Sequence, residues 1–256
     1  MPIYVCVKHV PDTAAVITLA GKTAYAEAGI KFIVNPYDEF AIEEALQWGE
    51  KKGEEVVAVT VGKKDAVSSL QNALALGAVR AIHIVTDKQF VSPADTAKAL
   101  AAGIKADGAP SVVFTGKQSV DTEGMQLPYF LAHELGIPVV NEITELALEG
   151  DKVLATREAG GGAREVFSVS CPCVIGATKG LNNPRYPKLP DIMKAKKKPV
   201  NTVPLETLVP GEASAPALEA LTLVAERASG GAKILSGTLE EQVAELSRII
   251  KEKARV

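Results

Sequence analysis

Side chains able to attack, ligate or carry a proton near neutral pH are few in this 256-residue sequence, and they lie far apart. His9 closes a short apolar run, His83 sits inside another and His133 falls on a helical stretch; none has a nucleophile and an acid at the spacing of a triad. All three read as structural. Cys6, in a β-rich apolar run, reads as a small buried hydrophobe. Cys171-Pro172-Cys173 brings two thiols together, but a structural zinc site needs a second ligand pair, and three cysteines make no disulfide framework. Neither a catalytic residue nor a metal site is expected.

What recurs instead is a set of small and polar residues at the ends of apolar runs. Asn35, Pro36, Tyr37 and Asp38 open a helix; Thr60, Val61 and Gly62 close a strand; Gly116, Lys117 and Gln118 lead through Asp121 to Gly124 and Gln126 at another helix start. Unpaired amides at a helix start receive phosphate, and Asp38 or a backbone carbonyl can accept from an adenine amino group. The competing reading is that these are loops at strand ends with no ligand, and spacing alone leaves the two level. Neither G-x-G-x-x-G nor G-x-x-x-x-G-K-[ST] occurs in the sheet-forming runs, so nicotinamide and triphosphate binding lack motif support.

The elements that must position these residues follow an alternating order. Ile3–Val10 reads as a first, central strand. Asn35 as cap, Pro36 at the first position, and Asp38 and Glu39 in the first turn predict a helix to Lys52. The strand "EEVVAVTVG", a helix 66–76 stopped by Gly77, the strand "RAIHIVTD", a helix 92–105, the strand "PSVVFTGKQ" and a helix 124–135 continue the series. Val- and Ile-rich strands without polar alternation, separated by helices, predict an α/β protein with a parallel doubly wound sheet whose ligands bind beyond the strands' carboxyl ends. After Pro138 the signals change to β-hairpins, with turns expected at Glu149-Gly150-Asp151 and at glycines 160–162. A proline-rich arm without secondary-structure signals runs to about Pro216, and Thr238 with Glu241 forms a capping box before an amphipathic helix. The expected division is 1–181 as the α/β domain and 182–256 as arm and helix.

Within the arm, "NNPRYPKLPDIMKAKKKP" (182–199) displays Leu189, Ile192 and Met193 among prolines and lysines. Apolar side chains on a polar loop mark an interaction site, and four lysines without interleaved aromatics are poor evidence for nucleic acid. A net charge of −3 offers no global attraction to nucleic acid or anionic membrane. The amino terminus reads as neither signal peptide nor membrane anchor, so a cytoplasmic location, or the mitochondrial matrix in a eukaryote, is expected.

The stretches "CVKHVPDT", "VNPYDEFAIEEAL", "ALALGA", "GKQSVD" and "GLNNPRYPKLPDIMKAKKKP", in this order over nearly the whole chain, closely resemble the β subunit of electron transfer flavoprotein. The resemblance implies an adenine-nucleotide α-hydrolase-like domain and a heterodimer with an α subunit that holds the redox-active FAD, around which the carboxyl-terminal segment wraps. It implies electron transfer from acyl-CoA dehydrogenase-type flavoenzymes to an acceptor such as a membrane quinone oxidoreductase, with no chemistry on this chain's own side chains. Residues matching the family's AMP contacts are Cys6, Asn35, Pro36, Tyr37, Asp38, Val61, Gly116, Lys117, Gln118, Asp121, Thr122, Glu123, Gly124, Met125, Gln126 and Leu127. AMP-binding members have a threonine where Leu127 stands. Electron-bifurcating members hold a second FAD in the same place, with Gly-Asp-Thr-Ala-Gln-Val-Gly in this loop; the sequence Thr122–Pro128 fits neither pattern, and AMP is favoured. The resemblance makes Leu189 the anchor in a partner dehydrogenase, with Ile192 and Met193 beside it and the lysines at the rim. A stand-alone nucleotide sensor of this fold would leave the 182–199 segment unexplained.

Overall fold

The computed structural model describes residues 1–149, 152–209, 232 and 234–254. Among them, nine strands form one sheet. The centre is built from β1 (Ile3–Cys6), β4 (Val56–Gly62), β6 (Val112–Gly116) and β10 (Val174–Ala177), all parallel. Burial on both faces is why these runs show no polar alternation. Odd residues of β1 (Ile3, Val5) join a core with Ile42, Trp48, Leu70 and Phe114 under α1 (Pro36–Lys52) and α2 (Val67–Leu76). Even residues (Tyr4, Cys6) join the opposite core with Leu100, Ile104 and Leu131 under α3 (Pro93–Asp107) and α4 (Leu127–Leu135). From β1 the chain steps outward to β4 and β5 (Arg80–Val85), then crosses back to lay β6 on the other side of β1. That reversal opens a crevice at the carboxyl ends of β1 and β6.

The antiparallel extension after Pro138 is present as β7 (Val139–Glu149), β8 (Lys152–Gly160) and β9 (Ala163–Ser170). Its glycines 160–162 all take positive φ, as a hairpin turn demands. The other expected turn, at 150–151, lies outside the described residues.

The first strand is shorter than its apolar run. It stops at Cys6, and His9–Pro11 forms β2, antiparallel to β3 (Phe32–Val34) in a separate two-stranded sheet. The ladder ends because the Lys8 amide donates to the Asp38 carboxylate at 2.7 Å instead of to a neighbouring strand. His9 stacks on Phe32 and meets the Ser69 hydroxyl, a structural role. Helix α4 starts at Leu127 and not at Gly124, because Glu123 and Met125 adopt φ of 48° and 53°, outside the helical region.

The arm also differs from expectation. Leu189–Ala195 forms the short helix α5, Val200–Pro204 forms β11 parallel to β5 at the sheet edge, and Leu205–Leu208 forms the turn α6. The full order of the large sheet is β11-β5-β4-β1-β6-β10-β7-β8-β9. Pro190 fits because it occupies the first turn of α5, and Pro204 because it ends an edge strand. Strand β11, which lies beyond the boundary expected after residue 181, thus joins the same sheet as the strands before it. The chain divides into two compact units, Met1–Thr222 and Leu223–Val256. The last part of the expected arm, 210–216, lies outside the described residues.

In the second unit, α7 (Leu239–Ala254) carries the expected capping box: the Thr238 amide donates to Glu241 and the Glu241 amide to the Thr238 hydroxyl. Leu239, Val243, Leu246 and Ile250 are exposed at helical spacing. Among the described residues, no helix is long and apolar enough to cross a membrane, and no cluster of three or more histidine, cysteine or acidic side chains is arranged to hold a metal ion.

Candidate functional site

Asp38 is the knot of the crevice. Its Oδ2 accepts from the Lys8 amide at 2.7 Å, and its Oδ1 accepts from Asn35 Nδ2 at 2.9 Å and from the Gly116 amide at 3.0 Å. One carboxylate therefore joins the end of β1, the start of α1 and the end of β6. Burial pushes its pKa up to about 7, against N–H donors that favour the charged form. With 5% of its surface exposed and three protein N–H donors on its carboxylate, Asp38 is committed to holding these elements together. Gly116 is required here: a Cβ would lie 2.4 Å from Asp38 Oδ1 and 2.9 Å from the Tyr37 carbonyl carbon.

Asn35 does not cap α1 through its side chain, as its position suggested. It spans the crevice instead: Nδ2 also donates to the Gln118 carbonyl at 2.9 Å, and Oδ1 accepts from the Val120 amide at 3.1 Å. Lys8 holds the same loop from the other side, donating to both oxygens of Asp121 and to the Ser119 hydroxyl. Ser119 in turn shares a hydrogen bond with Thr122 and accepts the Glu123 amide on its carbonyl. The first part of the 117–126 loop, from Gln118 to Glu123, is thereby fixed.

Two non-glycine residues at positive φ in this loop store backbone strain of about 1–3 kcal/mol each, which persists where the surroundings impose it. Gly124, between them, would meet nothing within 4 Å if it carried a Cβ, so the loop faces open space there. Among the described residues, the amides of Gly124, Met125, Gln126 and Leu127 have no acceptor. Successive free N–H groups at the start of a nine-residue helix form a concave donor set suited to a phosphate. The leucine at 127 brings no hydroxyl, and its side chain packs on the second core.

The remaining expected residues lie at the same ends of the strands. Cys6 is buried at the end of β1, its thiol pushed up by burial, and Val61 packs at the end of β4. Pro36 and Tyr37 begin α1, and Lys117 reaches over the Tyr37 ring at 5.3 Å and pairs with Glu142 at 3.6 Å. Glu142 was not legible as a neighbour of this loop. Glu142 lies beside a β-bulge with φ of 66°, and no local pattern marks it. Residues 12–31 are tied to the same end of the sheet through Glu27, which pairs with Lys63 and accepts from Gln89.

On a different surface, the 182–199 segment displays its apolar residues. Leu189 is 74% exposed, Met193 58% and Ile192 39%, and Tyr186 beside them is 92% exposed. Of the lysines expected at the rim, Lys198 points inward and donates to the Leu74 and Ala78 carbonyls.

The chain thus combines a mostly parallel α/β sheet, free backbone N–H groups in the loop beyond the strand-order reversal, and a short helix that exposes apolar side chains on a separate surface. The electron transfer flavoprotein domain model matches residues 22–208. The electron transfer flavoprotein subunit beta of Syntrophomonas wolfei is 43% identical over 204 residues, 79% of each chain. That of Bacillus subtilis is 35% identical over the whole of both chains, and that of Homo sapiens 33% identical over 96% of this chain and 97% of its own. The chain belongs to the electron transfer flavoprotein β subunits.

Proposed function

We propose that this chain is the nucleotide-holding and docking half of a heterodimeric electron carrier. An α subunit holds the redox-active FAD, and the two-subunit protein takes electrons from acyl-CoA dehydrogenase-type flavoenzymes and delivers them to an acceptor such as a membrane quinone oxidoreductase, in the cytoplasm or the mitochondrial matrix. The flavin supplies the electron chemistry. This chain's residues bind and orient. The observation that carries the reading is Leu189, three-quarters exposed on an ordered helix that belongs to the compact fold. Large apolar side chains held in water on a fixed helix act as anchors for a partner pocket.

The nucleotide proposed for this end of the sheet is AMP. The free amides of Gly124, Met125, Gln126 and Leu127 would receive the phosphate, and Cys6, Val61 and the backbone at Asn35–Tyr37 would border the adenosine. The nucleotide would tie β1, β6 and the 117–126 loop together without reacting. The apolar face of α7 would lie against the α subunit. The test is to purify the heterodimer, release its ligands by denaturation and count them. One FAD and one AMP per heterodimer is the expected result. Two FAD and no AMP would replace this reading with an electron-bifurcating one, in which a second FAD occupies the crevice and NADH is oxidised.

A further inference from the structure

Helix α5 is seven residues long, and only Ala195 within it is buried. A helix of this length does not hold in water by its own hydrogen bonds. Its order must come from its flanks, and both are clamped. Before it, Arg185 grips α1: its amide and Nε donate to Glu43 Oε2 at 3.1 and 2.8 Å, Nη2 to Glu43 Oε1 at 3.0 Å, and Nη1 to Glu50 Oε1 at 2.6 Å. Glu43 is 5% exposed, so this is a forked ion pair largely shielded from water on its acidic side. Asn182 adds bonds to the Phe40 carbonyl and to Glu44. After the helix, Lys198 Nζ donates to the Leu74 carbonyl at 2.8 Å and the Ala78 carbonyl at 2.7 Å, satisfying the end of α2. Between the clamps, the outward side carries Leu189, Ile192 and Met193.

We infer that Arg185 and Lys198 are positioning residues for partner docking: by clamping α5 to α1 and α2 they present Leu189, Ile192 and Met193 as a preformed surface. The inference rests on the docking reading above and adds what makes that surface effective. A segment already ordered before contact loses little conformational freedom on binding, so a small anchor suffices for a complex that must form and part quickly. Neither residue touches the partner in this scheme; each acts through Leu189.

The test uses the flavin-loaded heterodimer as electron acceptor for an acyl-CoA dehydrogenase, comparing parent, Arg185→Met, Lys198→Met, Leu189→Ala and the double variant Arg185→Met/Leu189→Ala. KM and kcat for the heterodimer are measured, with amide hydrogen exchange across 188–195. Arg185→Met should raise KM about five- to tenfold with kcat within about twofold, because only the ordering step is affected. Exchange at the Asp191 and Ile192 amides, which bond to the Lys188 carbonyl, should quicken. The double variant should be no worse than Leu189→Ala within about twofold, since a residue acting through Leu189 has nothing left to position. Lys198→Met should reproduce the pattern, and it decides the matter alone if Arg185→Met fails to assemble. An unchanged KM in both single clamp variants, with a raised KM in Leu189→Ala, overturns the positioning role and leaves the docking reading intact. So does a double variant whose losses multiply. An unchanged KM in Leu189→Ala overturns the docking reading itself, and this inference with it.

Discussion

Lys8 Nζ lies 2.7 Å from each carboxylate oxygen of Asp121, bridging the end of β1 and the loop that follows β6. The pair holds the loop three residues ahead of the free amides of the 124–127 stretch. It is partly exposed, 39% on the lysine and 23% on the aspartate, so it contributes little to global stability and a good deal to where the loop sits.

Lys8→Met should therefore separate two properties. Thermal unfolding should move by an amount equivalent to about 1 kcal/mol or less, as for other exposed pairs. AMP retained per heterodimer after gel filtration should fall clearly. Unchanged nucleotide content would mean that the bridge does not shape the site.

Asp38→Asn should be costly. The amide offers one acceptor oxygen where three N–H groups now converge, and its own NH2 must turn toward a donor. At least one buried donor loses its partner, for a loss of about 2–4 kcal/mol in urea unfolding. A near-parental midpoint would contradict the knot.

Two glycines a few residues apart should behave in opposite ways. Gly116→Ala drives a methyl against Asp38 Oδ1 and the Tyr37 backbone, and should destabilise by about 2 kcal/mol or more. Gly124→Ala meets nothing within 4 Å and should leave the unfolding midpoint within about 0.5 kcal/mol of the parent. Equal effects on stability would refute the packing described for Gly116.

His83 gives a pH dependence whose sign is fixed. Burial lowers its pKa below the ordinary 6.5, against the Lys63 carbonyl that its ring meets. Below 6.5 the unfolded chain binds a proton that the folded chain refuses, so stability present above that value is lost as pH falls toward the lowered value. His83→Gln should flatten the stability profile below pH 6.5 relative to the parent. Identical slopes would show that the ring is protonated as readily in the fold as outside it.

Leu189→Ala should leave folding and ligand content unchanged, because the side chain is mostly in water. Reduction of the heterodimer by an acyl-CoA dehydrogenase should slow about tenfold or more, the cost of losing a central anchor.

The sheet was legible because double-sided burial leaves uninterrupted Val and Ile runs, and the exposed apolar group because Leu189, Ile192 and Met193 are conspicuous among prolines and lysines. The break after Cys6 was not, since it depends on a carboxylate 30 residues away that takes the Lys8 amide. Strand β11 escaped notice because "VNTVP" is short, half polar and a strand only when β5 stands beside it. The clamp between Arg185 and Glu43 joins positions 142 apart, beyond the reach of any local pattern. The 117–126 loop stood out by its position at a strand end, but its shape comes from positive φ at Glu123 and Met125, which their residue types do not announce.

The central place of β1 has a consequence for synthesis. Ile3 pairs with Val56 on one side and Val112 on the other, so the first strand made is completed only after about 110 further residues. At ribosomal speeds that interval is about 5–20 s. Throughout it, one edge of an entirely apolar strand stands open on the nascent chain, and the crevice cannot form until β6 arrives to close it. Chaperone engagement during that window, and slower translation ahead of β6, would bear directly on the yield of assembled protein.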